Sequence, residues 1–340
     1  MLEKPDLPEE RISACLMEQY DLKAVDLAFL PLGADVNTAV YRALDAGGRA
    51  WFVKLRRGNF AEISVTLPRW LCDQGIRQII PPLPTRSGRL WVEMGAYRVI
   101  LYPFLEGQDG YAAACTEAQW AELGRALRCI HTAAVPPELW ASIPRETYDP
   151  RWRAAVNGFL ARADEAFAEP VAAECAALLR EQREMILNLV ERADCLAQRL
   201  QAQPLPEVVC HSDIHAGNIL MTAEGSLFIV DWDNPIRAPK ERDLMYVGGA
   251  QGFKDMTPQM EEMLFYRGYG PTPVNPAALA YYRYERIVED IAAFCEQLLL
   301  SNDGGADRPL GLHYLKSNFQ PGNTIEAAYQ ADIFVYRGLF

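Results

Sequence analysis

The hydrophobic and polar residues of the chain follow two different periods. In the amino-terminal part they alternate over short segments, and this period of two is typical of antiparallel strands with one buried face. The alternating segments fall at residues 28–32, 39–44, 50–55, 89–94 and 97–102. The apolar positions of residues 8–20 recur at helical spacing instead, so we predict a helix ahead of the sheet.

The rest of the chain is mostly of helical period. Thr116 can cap a helix whose apolar stripe continues to His131. Longer helical patterns cover residues 169–203, 256–268 and 277–300. We therefore predict an α+β chain, with a small antiparallel sheet followed by a larger and mostly helical part.

A polar stretch at residues 211–218 interrupts the helical part, and short apolar runs precede and follow it. The stretch ends in a Gly-Asn pair, which is typical of loops. After a turn, residues 227–230 form a β-branched and aromatic segment. We predict a loop followed by a hairpin, with Asp231 and Asp233 directly after the second strand.

The polar side chains of this stretch match the needs of phosphoryl transfer. An acceptor hydroxyl needs a carboxylate to orient it and take its proton, and Mg²⁺ needs hard oxygen ligands. Asp213 can serve the first need, and Asn218 and Asp231 can serve the second. The spacing His-x-Asp-x-x-x-x-Asn, followed by a later Asp, matches the catalytic loop of kinases. The alternative is a polar turn with a solvated Asp213 and an Asn218 of positive φ.

These motifs carry a resemblance to a known family. Residues 211–220 together with 230–233 resemble the aminoglycoside phosphotransferase family, within the protein-kinase-like fold. Residues 231–245 and 282–291 resemble more closely the spectinomycin 9-phosphotransferases of that family. The catalytic-loop motif is shared with choline, homoserine, fructosamine and stress-response kinases, so it leaves the acceptor open.

The resemblance implies a two-lobed protein-kinase-like fold. It places a small nucleotide-binding lobe with an antiparallel sheet at residues 1–103 and a hinge at about 102–107. The larger, mostly helical lobe at 104–340 would carry the catalytic loop and the substrate site.

The resemblance also implies a set of nucleotide-binding residues. Lys54 would pair with the α- and β-phosphates, and Glu62 on the next helix is its expected partner. Without the resemblance, Lys54 is more simply a solvated edge charge. The further residues expected around the nucleotide are Asp35, Asn37, Thr38, Pro103, Leu105, Leu220 and Val230. The expected cofactors are ATP, with GTP as an alternative, and Mg²⁺ bound by Asn218 and Asp231.

Carboxylates are the candidates for binding a cationic acceptor. Asp233 follows the metal strand, and Glu285, Glu289 and Asp290 share the last long helical pattern. Two interpretations stay open for them: they bind substrate ammonium groups, or they are solvated and pair with neighbouring arginines.

Composition adds bounds on partners and location. The net charge is −12, from 45 acidic and 33 basic residues, which argues against nucleic acid as a partner and is compatible with a small cationic substrate. Eight scattered cysteines and the lack of a leader or a long apolar run lead us to expect a cytoplasmic protein without membrane contact. We expect a monomer.

Together these features predict an ATP- and Mg²⁺-dependent O-phosphotransferase. The expected acceptor is an aminoglycoside or aminocyclitol antibiotic, spectinomycin first, which would make the chain a resistance enzyme. Two alternatives remain: a kinase of the same fold acting on choline, a fructosamine, homoserine or protein serine, and a non-catalytic nucleotide-binding module.

Overall fold

The computed structural model describes residues 4–33, 37–249, 253–302, 304–305 and 307–337, with side chains to residue 332. The helices are α1 (Glu9–Tyr20), α2 (Ile63–Asp73), α3 (Glu117–His131), α4 (Pro137–Ser142), α5 (Arg151–Arg162), α6 (Pro170–Glu181), α7 (Arg183–Ala202), α8 (Glu241–Leu244), α9 (Pro258–Tyr269), α10 (Pro276–Leu299), α11 (Asp307–Ser317) and α12 (Thr324–Arg337). The strands are β1 (Ala24–Leu30), β2 (Thr38–Asp45), β3 (Ala50–Arg57), β4 (Val92–Met94), β5 (Tyr97–Pro103), β6 (Gln108–Asp109), β7 (Val208–Cys210), β8 (Ile219–Met221), β9 (Leu227–Ile229) and β10 (Ile236–Ala238).

The chain forms two compact units. Unit 1 consists of Met1–Ala113, Ala133–Ile143 and Gly217–Pro235, and unit 2 of Ala114–Thr132, Pro144–Ala216 and Ile236–Phe340. This division does not follow a single cut at residue 103, because β8 pairs with both β6 and β9 and so joins the hairpin to unit 1. The assignment of residues 1–103 and 104–340 as functional lobes stays a prediction.

Unit 1 is built on an antiparallel sheet of order β1-β2-β3-β5-β4. Its strands overlap the five alternating segments predicted from the sequence, although β1 ends at Leu30 and β4 begins only at Val92. The predicted first helix is present as α1, and its apolar residues pack with those of the sheet. The core between them contains Ile12, Leu16, Tyr41, Val53 and Leu55, each fully or almost fully buried. The α+β class is thereby confirmed.

A second, smaller sheet in unit 1 has the order β6-β8-β9. Gly107 precedes β6, and a Cβ atom there would collide with the Met221 carbonyl oxygen and the Leu220 side chain. Only glycine therefore allows the chain to pass this close to β8. This close approach holds residues 104–107 beside the β8–β9 hairpin, which follows the polar stretch at residues 211–218.

Unit 2 is organised around α10. This helix packs against α5, α6, α7, α8, α11 and α12, and buries Tyr281, Tyr282 and Tyr284. The helical pattern at 169–203 is two helices rather than one, because Gln182 leaves the helical conformation with φ −97° and ψ 10°. The other predicted helices of this part are present, with ends shifted by a few residues.

Helices α3 and α9 form a close pair. A Cβ atom on Gly124 would meet the backbone of Phe265 and Tyr269, and one on Gly268 would meet the backbone of Ala121. The two glycines thus allow direct backbone contact. Helix α3 begins at the predicted cap, since Thr116 forms a capping box with the third residue of the helix.

The polar stretch that begins at residue 211 follows a short strand, β7, in unit 2. Strand β7 pairs with β10 in antiparallel register, and α8 follows β10 after Ala238. Across the described residues, no helix combines the length and the apolar character that a membrane span requires.

Candidate active site

A cavity of about 690 Å³ lies within unit 1. Strands β1, β2, β3 and β5, residues 104–107 and the β8–β9 hairpin supply its walls. Apolar side chains make up much of the lining, among them Leu30, Val40, Phe52, Ile80, Leu220 and Ile229. The polar groups include Lys54, Asn218 and Asp231. An apolar pocket with a few convergent polar groups is the usual form of a small-molecule site.

A cluster of opposite charges borders this cavity. Lys54 Nζ donates to Asp231 Oδ1 at 2.8 Å and to Asp233 Oδ1 at 2.7 Å. Arg56, two positions along β3 and on the same face, donates to the other oxygen of Asp233. The Lys54 side chain is only 10% exposed, so its charge is compensated inside the protein rather than by water.

The prediction that Glu62 pairs with Lys54 was wrong. Glu62 is exposed and immediately precedes α2, and its carboxylate accepts a hydrogen bond from Trp91 Nε1 at 3.4 Å. Within the described residues, no ion pair joins Glu62 to Lys54. The carboxylates of Asp231 and Asp233, which follow β9, meet the end of the lysine side chain instead.

The two predicted metal ligands both line the cavity. Asn218 ends a 3-10 turn at Ala216–Asn218, and its carbonyl oxygen accepts a hydrogen bond from Val230 N at 3.0 Å. This bond ties the end of the turn to the residue before Asp231. Asp231 has φ 63°, in the left-handed region that non-glycine residues rarely adopt. Such conformations concentrate at functional sites.

In unit 2, the segment before this turn is held by a buried aspartate. Asp243 of α8 is fully buried and accepts hydrogen bonds from the backbone N–H groups of His211 and Ser212 at 3.0 and 2.7 Å. His131 Nε2 lies 3.0 Å from the same carboxylate. Ser212 has φ 75°. Asp243 thus fixes a strained backbone directly before Asp213.

Asp213 itself lies among donors. Arg286 Nη1 of α10 is 2.5 Å from Asp213 Oδ1, and the Tyr246 hydroxyl is 3.1 Å from the same oxygen. His215 Nε2 is 3.6 Å from Oδ2. Burial acts to raise the pKa of Asp213, but Arg286, His215 and His211 outweigh it and hold the pKa below its usual range. The carboxylate is therefore ionised at neutral pH.

The acidic residues proposed for the acceptor have different surroundings. Asp233 is held by Lys54 and Arg56 in unit 1, as described above. Asp290 Oδ1 accepts a hydrogen bond from Arg286 Nε at 2.9 Å, and Glu289 Oε2 lies 3.8 Å from Arg242 Nη2.

Glu285 departs from the expectation of an open acidic face. It is 5% exposed and bound to Arg153, and burial raises its pKa to about 7 against the opposing effect of that arginine. Arg283, a neighbouring arginine on the same helix, is buried and donates to the carbonyl oxygens of Met245, Val247 and Ala327. These residues belong to the interior of unit 2, because α10 is covered by helices on several sides.

The structure separates the remaining nucleotide-site predictions into three groups. Those that line the cavity with Lys54 are Thr38, Pro103, Leu105, Leu220 and Val230. Asn37 and Glu62 are exposed and lie outside the lining. Asp35 falls outside the described residues.

Sequence reasoning missed three residues of these clusters. Arg56 carries a weak signal, since it follows Lys54 by two positions on a strand and so shares its face. Arg286 and Tyr246 contact Asp213 from positions 73 and 33 residues later in the chain. Local sequence patterns do not predict contacts over such separations.

Comparisons with known proteins support the chemistry suggested by these residues. The sequence model of the phosphotransferase enzyme family matches residues 28–248, more than half of the chain. Protein StrN of Streptomyces griseus is 28% identical over 244 residues, which cover 66% of this chain and 69% of that protein.

Solved structures extend the likeness over almost the whole chain. A spectinomycin phosphotransferase in complex with ADP and spectinomycin is 35% identical, with a TM-score of 0.89, covering 97% of this chain and 99% of that one. The choline kinase LicA of Streptococcus pneumoniae is similar in fold, with a TM-score of 0.57 at 14% identity, covering 91% and 97% of the two chains. The chain therefore belongs to the phosphotransferase enzyme family and is an O-phosphotransferase.

Proposed function

We propose that this chain transfers the terminal phosphoryl group of ATP to a hydroxyl of spectinomycin or a closely related aminocyclitol. The observation that carries this choice is the 35% identity, over 97% of the chain, to a spectinomycin phosphotransferase crystallised with ADP and spectinomycin. At that identity and coverage, the likeness extends well beyond the shared fold. Resistance to the acceptor antibiotic would follow from the reaction.

The cavity of unit 1 is the proposed nucleotide site. Its volume of about 690 Å³ lies inside the range of roughly 300–1,000 Å³ typical of small-molecule sites. Val40, Phe52 and Leu220 offer apolar surfaces for a purine. Lys54 would exchange Asp231 and Asp233 for phosphate oxygens of ATP, which accept charge-assisted hydrogen bonds as carboxylates do.

The same cavity suits a magnesium site. Asn218 and Asp231 both line it and offer an amide oxygen and a carboxylate, the hard ligands that this ion prefers. The Asp231 carboxylate already accepts a hydrogen bond from the Lys54 ammonium group, so it faces a position where a cation is bound. A bound magnesium ion would neutralise charge on the phosphate oxygens of ATP.

Asp213 is the proposed acceptor-orienting carboxylate. The hydroxyl of the acceptor donates its hydrogen bond to this group, which takes the proton as the reaction proceeds. A phosphorus–oxygen bond forms to the acceptor, the bond between the terminal phosphorus and the bridging oxygen of ADP breaks, and ADP leaves. The ionised state of Asp213 suits this task, because a neutral carboxyl could not accept the hydroxyl proton.

The proposal is tested by ADP release in a coupled assay with Mg-ATP and five acceptors: spectinomycin, kanamycin, streptomycin, hygromycin and choline. We expect fast release with spectinomycin, slow release with the others, and loss of activity when EDTA removes the metal. GTP in place of ATP then gives the nucleotide preference. Fast release with choline but not with spectinomycin would refute the proposed acceptor, and release unaffected by EDTA would refute the metal.

A further inference from the structure

Arg286 bridges two carboxylates within unit 2. Its Nη1 atom is 2.5 Å from Asp213 Oδ1, and its Nε atom is 2.9 Å from Asp290 Oδ1. Asp290 lies one helical turn further along α10 and so fixes the guanidinium from its own helix. The arginine can therefore present a constant face to the loop that carries Asp213.

The Tyr246 hydroxyl completes this arrangement. It accepts a hydrogen bond from Arg286 Nη1 at 3.1 Å, and it lies 2.9 Å from the Ser212 carbonyl oxygen and 3.1 Å from Asp213 Oδ1. Arg286 donates to Oδ1, and the single proton of the Tyr246 hydroxyl can go either to this oxygen or to the Ser212 carbonyl oxygen. His215 Nε2 lies 3.6 Å from the other carboxylate oxygen, Oδ2. These groups together limit rotation of the Asp213 carboxylate.

The contact between Arg286 and Asp213 differs in kind from the contacts of Arg283, a neighbouring arginine on α10. Arg283 donates to backbone carbonyl oxygens only, in the contacts given above, and so joins α10 to the chain around Met245 and Val247. Arg286 instead binds the carboxylate for which we propose a role in the reaction. The side chains of Arg286 and Asp213 are 24% and 32% exposed, so the pair is screened from bulk water but open to a ligand.

We propose that Arg286 is a positioning residue for phosphoryl transfer, which holds the Asp213 carboxylate through Oδ1 in the orientation in which it receives the acceptor hydroxyl. This inference rests on the proposed role of Asp213. It also assigns Asp290 to the support of Arg286 rather than to an ammonium group of the acceptor. The ionised state of Asp213 agrees with the arrangement, since Arg286 is the strongest of the groups that lower its pKa.

The test compares the steady-state kinetics of Arg286→Met, Arg286→Lys and Tyr246→Phe with spectinomycin as acceptor. The same variants are also measured without spectinomycin, where water takes the place of the acceptor hydroxyl. For Arg286→Met we expect kcat to fall by about 10- to 100-fold, the loss typical of a misplaced reacting group, while the KM for ATP changes less than about twofold. Arg286→Lys should restore part of kcat because it keeps the charge, and Tyr246→Phe should cost less than Arg286→Met.

Two controls separate the possible failures. Arg183→Met removes a cation from an exposed ion pair on α7 and should leave kcat unchanged. Asp213→Asn is measured in parallel: if it turns over like the unmodified enzyme, the proposed role of Asp213 fails, and this inference fails with it. If Asp213→Asn is inactive while Arg286→Met keeps full kcat, only the role of Arg286 is refuted.

A purely structural role would give a different result. Arg286→Met and Arg286→Lys would then lose thermal stability together, and the KM for ATP and kcat would change in parallel without recovery in the lysine variant. That outcome would overturn the inference even if the methionine variant folded poorly, because the lysine variant retains the charge.

Discussion

The cluster around Lys54 and the cluster around Asp213 are built on groups of opposite charge. In unit 1, the cations Lys54 and Arg56 on one strand are held by Asp231 and Asp233, which follow a hairpin of the same unit. In unit 2, the anion Asp213 is bound by the guanidinium of Arg286 and lies near the Tyr246 hydroxyl and His215. The first cluster offers cations whose partners an incoming anion can replace, whereas the second holds its anion in one orientation.

This difference corresponds to two tasks in phosphoryl transfer. A nucleotide site must bind and release a polyanion, so carboxylates that compensate the cations in the absence of phosphate keep Lys54 from being a buried, unpaired charge. A carboxylate that orients a hydroxyl gains from a fixed position, because its contribution depends on alignment with the reacting atoms. Substitutions in the two clusters should therefore differ in kind as well as in size.

The largest effect is expected at Asp213. Asp213→Ala removes the proposed acceptor-orienting carboxylate, so we expect kcat to fall by about 10³-fold or more, within the range typical of general bases. Binding of Mg-ATP, measured by calorimetry, should stay within about threefold of the unmodified protein because the cavity is unchanged. Retained turnover would remove Asp213 from the mechanism.

A smaller effect with a different signature is expected at Lys54. Lys54→Met removes a cation that the phosphates would use and leaves Asp231 and Asp233 facing them. We therefore expect the KM for ATP to rise and kcat to fall by about 10²-fold, as for other preorganised charges. Arg57→Met, at an exposed position of the same strand, is the matched control and should change neither constant. If Lys54→Met lowered kcat without raising the KM for ATP, the idea that phosphate replaces the carboxylate partners of Lys54 would be refuted.

The smallest effect concerns a carboxylate remote from both clusters. Glu261 of α9 is 2% exposed and accepts a hydrogen bond from Gly248 N at 2.9 Å. Burial raises its pKa to about 7. A raised pKa means that this residue's contribution to stability is complete below the unfolded pKa of about 4.5 and is lost as the pH rises through 7.

Glu261→Gln should remove this loss, since its amide oxygen can still accept the bond from Gly248. We expect the free energy of unfolding of the unmodified protein to decrease between pH 5 and pH 8 by up to about 3 kcal/mol more than that of the variant. Denaturant titrations at the two pH values measure the difference. Glu296→Gln, at an exposed position of α10, is the control and should follow the unmodified protein. Parallel curves for Glu261→Gln and the unmodified protein would contradict the pKa shift.

The parts of the site that could be predicted from the sequence are those set by neighbouring residues. The loop with Asp213, the hairpin after Asn218 and the strand of Lys54 each have a local pattern, and the structure contains them. The partner of Lys54 was not predictable in this way, because a strand position fixes the face of the side chain but not which distant carboxylate meets it. For the same reason Arg286 and Tyr246 were not assigned to Asp213.

The fold shows the same limit. Periodicity predicted the sheet of unit 1 and the regions of α3, α6, α7, α9 and α10 in unit 2, because burial of one face governs both patterns. It did not predict α5, α11 or α12, and it did not reveal the break at Gln182, where the backbone leaves the helical conformation. It also left the surroundings of Glu285 open, since an acidic residue on a helix has the same sequence whether that helix is covered or exposed.

The close contact of α3 and α9 has a consequence for how natural variants and mutational scans of this enzyme will look. At Gly124 and Gly268 even a methyl group would have to push two backbones apart. Variant libraries sorted for folded, active enzyme should therefore be depleted of almost every substitution at these two positions. A map of intolerant sites would mark this helix pair alongside the reacting groups, and it would report assembly of the protein rather than its chemistry.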